Sequence, residues 1–174
     1  MDYNRWEQMI LSILHFELGR HMNPTTRAKR ILAKMGRFRQ VFGGDSPSYL
    51  PPELFRGGEV VIGVYENVVG QATNSVVITD QRLLIEDSGN WSSADYARID
   101  SINVPEPNSV DTDSPSFALT LMDKSIVYVP IRGCRGHTFD LYEFSRFLLR
   151  VVADLRVPKA QKRGHHQSRR PPRG

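Results

Sequence analysis

A chain of 174 residues, 40% hydrophobic and 24% charged, is long enough to bury one core and too mixed in composition to be fibrous or disordered throughout. Cys134 is its only cysteine, which excludes an intrachain disulfide scaffold; with no signal-peptide pattern after Met1 and no apolar run near the roughly 20 residues that span a bilayer, the chain is expected to be soluble and cytoplasmic, with peripheral membrane attachment left open. The net charge of +4 conceals three blocks, +5 over residues 1–44, −9 over 45–131 and +8 over 132–174, so basic ends flank an acidic middle.

Trp6, Met9, Ile10, Ile13 and Leu14 recur at three- and four-residue spacing before Gly19, which predicts a first helix. Asn23 and Pro24 then suit the N-cap and first position of a second helix, whose apolar stripe is Ala28, Ile31, Leu32 and Met35. That helix is expected to end at Gly36, or to continue through Phe38, Val41 and Phe42 to Gly43-Gly44. Residues 43–53 read as a linker rich in Gly, Ser and Pro.

From Glu59 to Ile131 the apolar period falls to two, and β-branched residues cluster. Strands are expected at Val60–Tyr65, Ser75–Thr79 and Arg82–Glu86, around Trp91, across Ala97–Val104, and at Phe117–Leu121 and Val127–Ile131. Tight turns fall at Asp80-Gln81 and Asp123-Lys124, and Pro105–Ser116 reads as a long acidic loop. A final helix carries Leu141, Phe144, Leu148, Val151 and Leu155 on one stripe, widened by Phe147 and Val152, with Asp140 and Glu143 spaced as a capping box. Such an apolar face must cover a sheet or the mouth of a barrel. From residue 156 onward, basic residues without acidic ones, among Pro and Gly, predict a disordered tail.

About seven antiparallel strands closed by one helix is the order of a known family. Residues 54–155 resemble a bacterial pleckstrin-homology-like (PH-like) domain of the GRAM and YokE type. The likeness is carried by Gly58-Glu59, by Val76-Val77-Ile78-Thr79-Asp80-Gln81-Arg82-Leu83-Leu84-Ile85 with its Thr-x-x-Arg-Leu element, by Tyr96-x-x-Ile99-x-x-Ile102, and by Phe144-x-x-Phe147-Leu148. It implies a seven-stranded antiparallel open barrel covered by a C-terminal helix; the N-terminal helical pair (residues 1–42) and the basic tail (156–174) lie outside the likeness, and the whole is expected to be α+β. The likeness also implies a binding scaffold rather than a catalyst, one that associates with protein partners or with itself. Members of this fold that grip inositol phosphates place Lys and Arg in the first inter-strand loop; here that loop, Glu66 to Asn74, holds none, which argues against such a ligand.

No nucleophile elbow, phosphate-binding glycine loop or His-Glu-x-x-His helix is present, so neither an enzyme nor a cofactor is expected. Cys134, between Arg132 and Arg135, forms with His137 the nearest approach to a nucleophile–base pair, and the stretch reads better as a glycine-rich turn. His15, His21, His165, His166, Asp111 and Asp113 lack the spacing of a metal site, and none is expected. Thr79, Asp80 and Arg82 form a turn motif that presents Arg82 to a ligand or, as the preferred reading, pairs it with nearby acids or carbonyls. Trp91 and Tyr96 are the aromatics to consider at a ligand surface. Candidate anion- or partner-binding residues are Arg27, Lys29, Arg30, Lys34, Arg37 and Arg39 near the second helix, with Lys159, Lys162, Arg163, Arg169 and Arg170 in the tail. Their partner would be a protein or, in the alternative, an anionic membrane surface or nucleic acid.

Overall fold

Asn23 and Pro24 open helix α1 (Pro24–Ile31) in the computed structural model, which describes residues 22–41, 47–106, 110, 115–133 and 139–156. The Asn23 side chain accepts from the Thr26 N–H at 2.8 Å, and Pro24 stands where no N–H is needed. The helix is shorter than its sequence pattern. Leu32–Lys34 tighten into a 3-10 turn and Phe38–Gln40 form a strand, β1, so the helical stretch stops just short of Gly36, and the alternative continuation through Phe38, Val41 and Phe42 to Gly43-Gly44 is corrected at Phe38. Phe38 and Val41 satisfy a helical stripe on paper, but after Gly36 the backbone gains more from a ladder: Phe38 pairs with Tyr65, Arg39 with Val64 and Gln40 with Gly63. The helix expected around Trp6 lies outside the described residues.

The remaining strands fall where the sequence places them: β2 (Val61–Tyr65), β3 (Val76–Thr79), β4 (Arg82–Asp87), β5 (Asn90–Asp95), β6 (Ile99–Asn103), β7 (Ser116–Leu121) and β8 (Ile126–Pro130). With helix α2 (Phe139–Arg156) they make an α+β fold of two antiparallel sheets, ordered β1-β2-β3-β4-β5 and β6-β7-β8. The five-stranded first sheet thus includes a strand from the segment expected to be wholly helical. Positive φ at Ser88 and Gly89 closes the β4–β5 hairpin, and Lys124 at φ 68° closes β7–β8.

Alternation along the strands sorts side chains into two clusters. Inward go Ile62, Tyr65, Val76, Ile78, Leu83, Ile85, Phe117, Leu119 and Val129, which meet Phe144, Phe147, Leu148 and Val151 of α2 and Ala28, Leu32 and Met35 of the α1 region. Tyr65 and Tyr96 meet Phe144 and Phe147 edge-on, with ring centroids 5.9 and 6.5 Å apart. Outward from the first sheet go Val61, Val64, Val77 and Leu84, and a register shift between Val61 and Gly63 is what puts Val61 and Val64 on one face.

That outer face is covered. Tyr49, Leu50, Leu54 and Phe55 pack on it beside half-buried Trp91, so the described part of the stretch read as a linker, from residue 47 on, is a strap. Its apolar residues lie among Pro, Ser and Gly, a composition that marks a loop without revealing what the loop covers. Two polar ties fasten it: the Tyr49 hydroxyl donates to Glu66, and Arg82 Nη2 donates to the Leu54 carbonyl at 2.8 Å.

Helix α1 packs internally as well. Arg27 holds Asp154 of α2 with Nε and Nη2 at 2.7 and 3.1 Å, in a pair where Arg27 is 4% exposed. The expected capping box at Asp140 is also corrected: Asp140 lies within α2, and its buried carboxylate accepts from the Tyr65 hydroxyl at 2.7 Å, while Glu143 pairs with Arg146. The Tyr65 oxygen in turn accepts from the Gly133 N–H at 3.0 Å; burial and the Asp140 carboxylate together push the Tyr65 phenol above its ordinary pKa.

Candidate functional site

The turn motif is built into the core. Thr79 Oγ1 accepts from the Arg82 N–H at 3.0 Å and donates to Glu59 at 2.7 Å; Asp80 accepts from the Val60 N–H at 2.9 Å. Arg82 grips Glu59 with both arms, Nε to Oε1 and Nη2 to Oε2, each at 2.9 Å. The Glu59 side chain is 0% exposed and that of Arg82 8%. Burial alone would push the Glu59 carboxyl up, but donors from Arg82, the Arg56 N–H and Thr79 outweigh it and hold its pKa at about 2. The buried Tyr96 hydroxyl donates to the Thr79 carbonyl at 3.0 Å. Glu59, Thr79, Arg82 and Tyr96 thus hold one another, and Asp80 stays partly exposed at the turn.

The loop after β2 is held the same way. Asn67 donates to the carbonyls of Asn74 and Pro130 and accepts from the Arg132 N–H at 2.7 Å, joining the first sheet to the end of β8. Glu66 accepts from Tyr49 and from the Gly70 N–H, with Arg39 Nη1 at 3.8 Å. Arg37 donates to the Asn67 carbonyl. Cations do approach this loop, then, but they come from β1 and its approach and are spent on the loop's own acceptors.

The basic candidates therefore divide. Arg27 is buried on Asp154 and Arg37 is turned into the Asn67 loop, whereas Lys29 and Arg30 on α1 and Lys34 in the 3-10 turn after it are exposed, Arg30 with its guanidinium 3.4 Å from Met22 Sδ. Helix α2 ends at Arg156, whose Nη2 donates to the carbonyls of Ile99 and Asp100 at 2.7 and 2.8 Å. Arg27 of α1 holds Asp154, so the last described turn of α2 packs beside α1. Lys159, Lys162, Arg163, Arg169 and Arg170 lie outside the described residues, as do Cys134, His137, His15, His21, Asp111 and Asp113.

One surface was not singled out by the sequence argument. On β8, Ile126 and Tyr128 are 56% and 65% exposed, and Met122 in the adjoining turn is 59% exposed. Ile126 stands opposite Thr120 and Tyr128 opposite Ala118, so the pair lies on the outer face of the second sheet while Val127 and Val129 face inward. Arg98 pairs with Asp123 and Lys124 with Asp100 at the end of this face. The signal was present: Ile-Val-Tyr-Val is apolar on both sides of a strand, although the neighbouring β7 offers Ser116, Ala118 and Thr120 outward.

Among the described residues no three His, Cys, Asp or Glu side chains form a group that could hold a metal ion, and no helix is long and apolar enough to cross a membrane. Compared with family models, with curated proteins and with solved structures, the chain finds no match.

Proposed function

We propose that the chain is a non-enzymatic interaction module of PH-like architecture that docks a protein on the outer face of its second sheet. Two antiparallel sheets of five and three strands followed by α2 support the PH-like part of this reading, although the first sheet carries a strand, β1, that the seven-strand expectation does not include. The observation that carries the functional reading is an asymmetry among the described residues: the chain's own strap covers the outer face of the first sheet, whereas Met122, Ile126 and Tyr128 at the second are exposed. A strand that spends a tyrosine and an isoleucine on its solvent side, beside charges already paired with each other, has the apolar centre and polar rim of a docking surface.

A second reading rests on the exposed Lys29, Arg30 and Lys34 together with the run of basic residues at the end of the sequence. It makes these cations a contact for a polyanion, a membrane surface or nucleic acid. One experiment separates the two: capture of binding partners from a cell extract by wild type and by the Ile126→Thr/Tyr128→Thr variant, across a salt series. Threonine keeps strand propensity while removing the apolar area. Docking on the sheet gives a partner that persists as salt rises and falls at least tenfold in the variant. Attachment through these cations gives binding that salt abolishes and the variant leaves unchanged, and that result overturns the first reading.

A further inference from the structure

The outer face of the first sheet carries a small core of its own. Val61, Val64, Val77 and Leu84 form a cluster separate from the main core, and the strap, residues 47–55, fills the groove above them. We propose that the strap is a releasable intramolecular ligand: the groove beneath it is a second binding site, which takes an extended partner segment of the strap's own chemistry, an aromatic residue and leucines set among prolines, and the strap blocks that site until such a segment displaces it. This face and the β8 face are different surfaces, and neither reading depends on the other.

The strap is held as a ligand is held. Among the described residues its backbone bonds all close within itself, the Leu50 N–H on the Pro47 carbonyl, the Leu54 N–H on that of Pro51 and the Phe55 N–H on that of Pro52, so none joins the ladder of the sheet. Pro47, Pro51 and Pro52 have no N–H to offer, and their fixed φ stiffens the segment, which lowers the entropy lost when it seats. Leu50 enters the groove most deeply, at 5% exposure, with Tyr49, Leu54 and Phe55 half-buried around it. The polar ties are the Tyr49 hydroxyl on Glu66 and Arg82 on the Leu54 carbonyl. What lies beneath does not need the strap for its own backbone: β2 pairs with β3 and β3 with β4, while their inward side chains are buried in the main core with α2. Just past the strap, Gly57 and Gly58 have open space about them, and Gly58 at φ 79° lets the chain turn there without strain. Docking of a proline-stiffened segment on an apolar groove with an aromatic wall is a recurrent mode of peptide recognition. Trp91 is that wall.

Trp91 also reports on the groove. The chain has two tryptophans, Trp6 and Trp91, so Trp6→Phe leaves Trp91 as the only one in the full-length protein. In that background Tyr49→Phe/Leu50→Ala, which removes one tie and the deepest side chain, is expected to open Trp91 to acrylamide with unchanged far-ultraviolet dichroism. A peptide of residues 47–55 added in trans should restore the shielding. It should bind this variant at least about tenfold more tightly than the wild-type chain, since only the open fraction is competent to bind. The same peptide carrying Tyr49→Ser and Leu50→Ser should do neither. Should the double variant lose its dichroism, Tyr49→Phe alone is followed in rising urea, where Trp91 should open before the dichroism changes. Loss of both signals in one transition overturns the proposal, because the strap is then part of the cooperative fold. A Trp91 indifferent to the substitutions overturns it too, as does a peptide that binds neither chain, binds both equally, or binds as well with the two serines. Shielding of Trp91 that rises with protein concentration alone also overturns it, by giving the groove to the strap of a second copy.

Discussion

Replacing Arg82 by methionine is expected to destabilise the protein by about 3–5 kcal/mol at neutral pH, as removal of one partner from a buried ion pair does. The guanidinium supplies two of the donors to a carboxylate with no solvent exposure, and it also holds the Leu54 carbonyl, so its loss strands Glu59 and loosens the strap together. The pH dependence identifies the cause. In the wild type the Glu59 pKa is held at about 2, below its ordinary value of 4.5. The stabilisation from this site is therefore complete above about pH 5 and drains away as pH falls towards 2. In Arg82→Met the burial remains and the strongest donors are gone, so the carboxyl is pushed up instead and acidification should relieve the defect. Urea unfolding between pH 7 and 3 should show the wild type losing stability and the variant recovering part of its deficit. Glu59→Gln with Arg82→Met should restore much of the loss, because an absent pair costs less than half of one. A variant whose deficit grows in acid would show that the pair is not the source.

Gly63→Ala is the second large effect expected. An added Cβ would lie 2.5 Å from the Phe38 ring and 2.8 Å from the Arg39 carbonyl oxygen, so backbone as well as side chain must yield. Overpacking of this kind costs about 1–3 kcal/mol. The damage should centre on β1, read as faster hydrogen exchange at the N–H groups of Val41 and Glu66, which donate across this pairing to Ile62 and Arg37. Phe38→Ala should return only part of the loss, since the Arg39 carbonyl stays. Gly57, with open space at its Cβ, is the control, and Gly57→Ala should change stability by less than about 0.5 kcal/mol.

Where a segment's partner was local, the sequence was enough. Alternation in Phe117-Ala118-Leu119-Thr120-Leu121 and the wide stripe of α2 depend on their own periods, and both elements formed as expected. Where the partner was distant, it was not. Phe38–Gln40 is a strand because β2 offers it a ladder, and Pro47–Phe55 is a strap because Val64, Val77 and Leu84 need covering on a second face. The candidate surfaces repeat the lesson. Arg27 and Lys29 look alike in a list of cations, but only the position of Asp154 decides that one is buried and the other free to meet a partner. Ile126 and Tyr128 look like two more strand residues until the sheet shows that Val127 and Val129 have taken the inward side.

The docking face is tested most directly by a photoreactive phenylalanine analogue placed at Tyr128 in the full-length protein and irradiated in cell extract, with the same group at exposed Asp87 of the first sheet as the reference. The expected result is a discrete adduct of higher mass from position 128, absent from position 87 and persisting in high salt. Equal adducts from both positions, or none from 128 where the basic end still retains a partner, would contradict the assignment of function to this face.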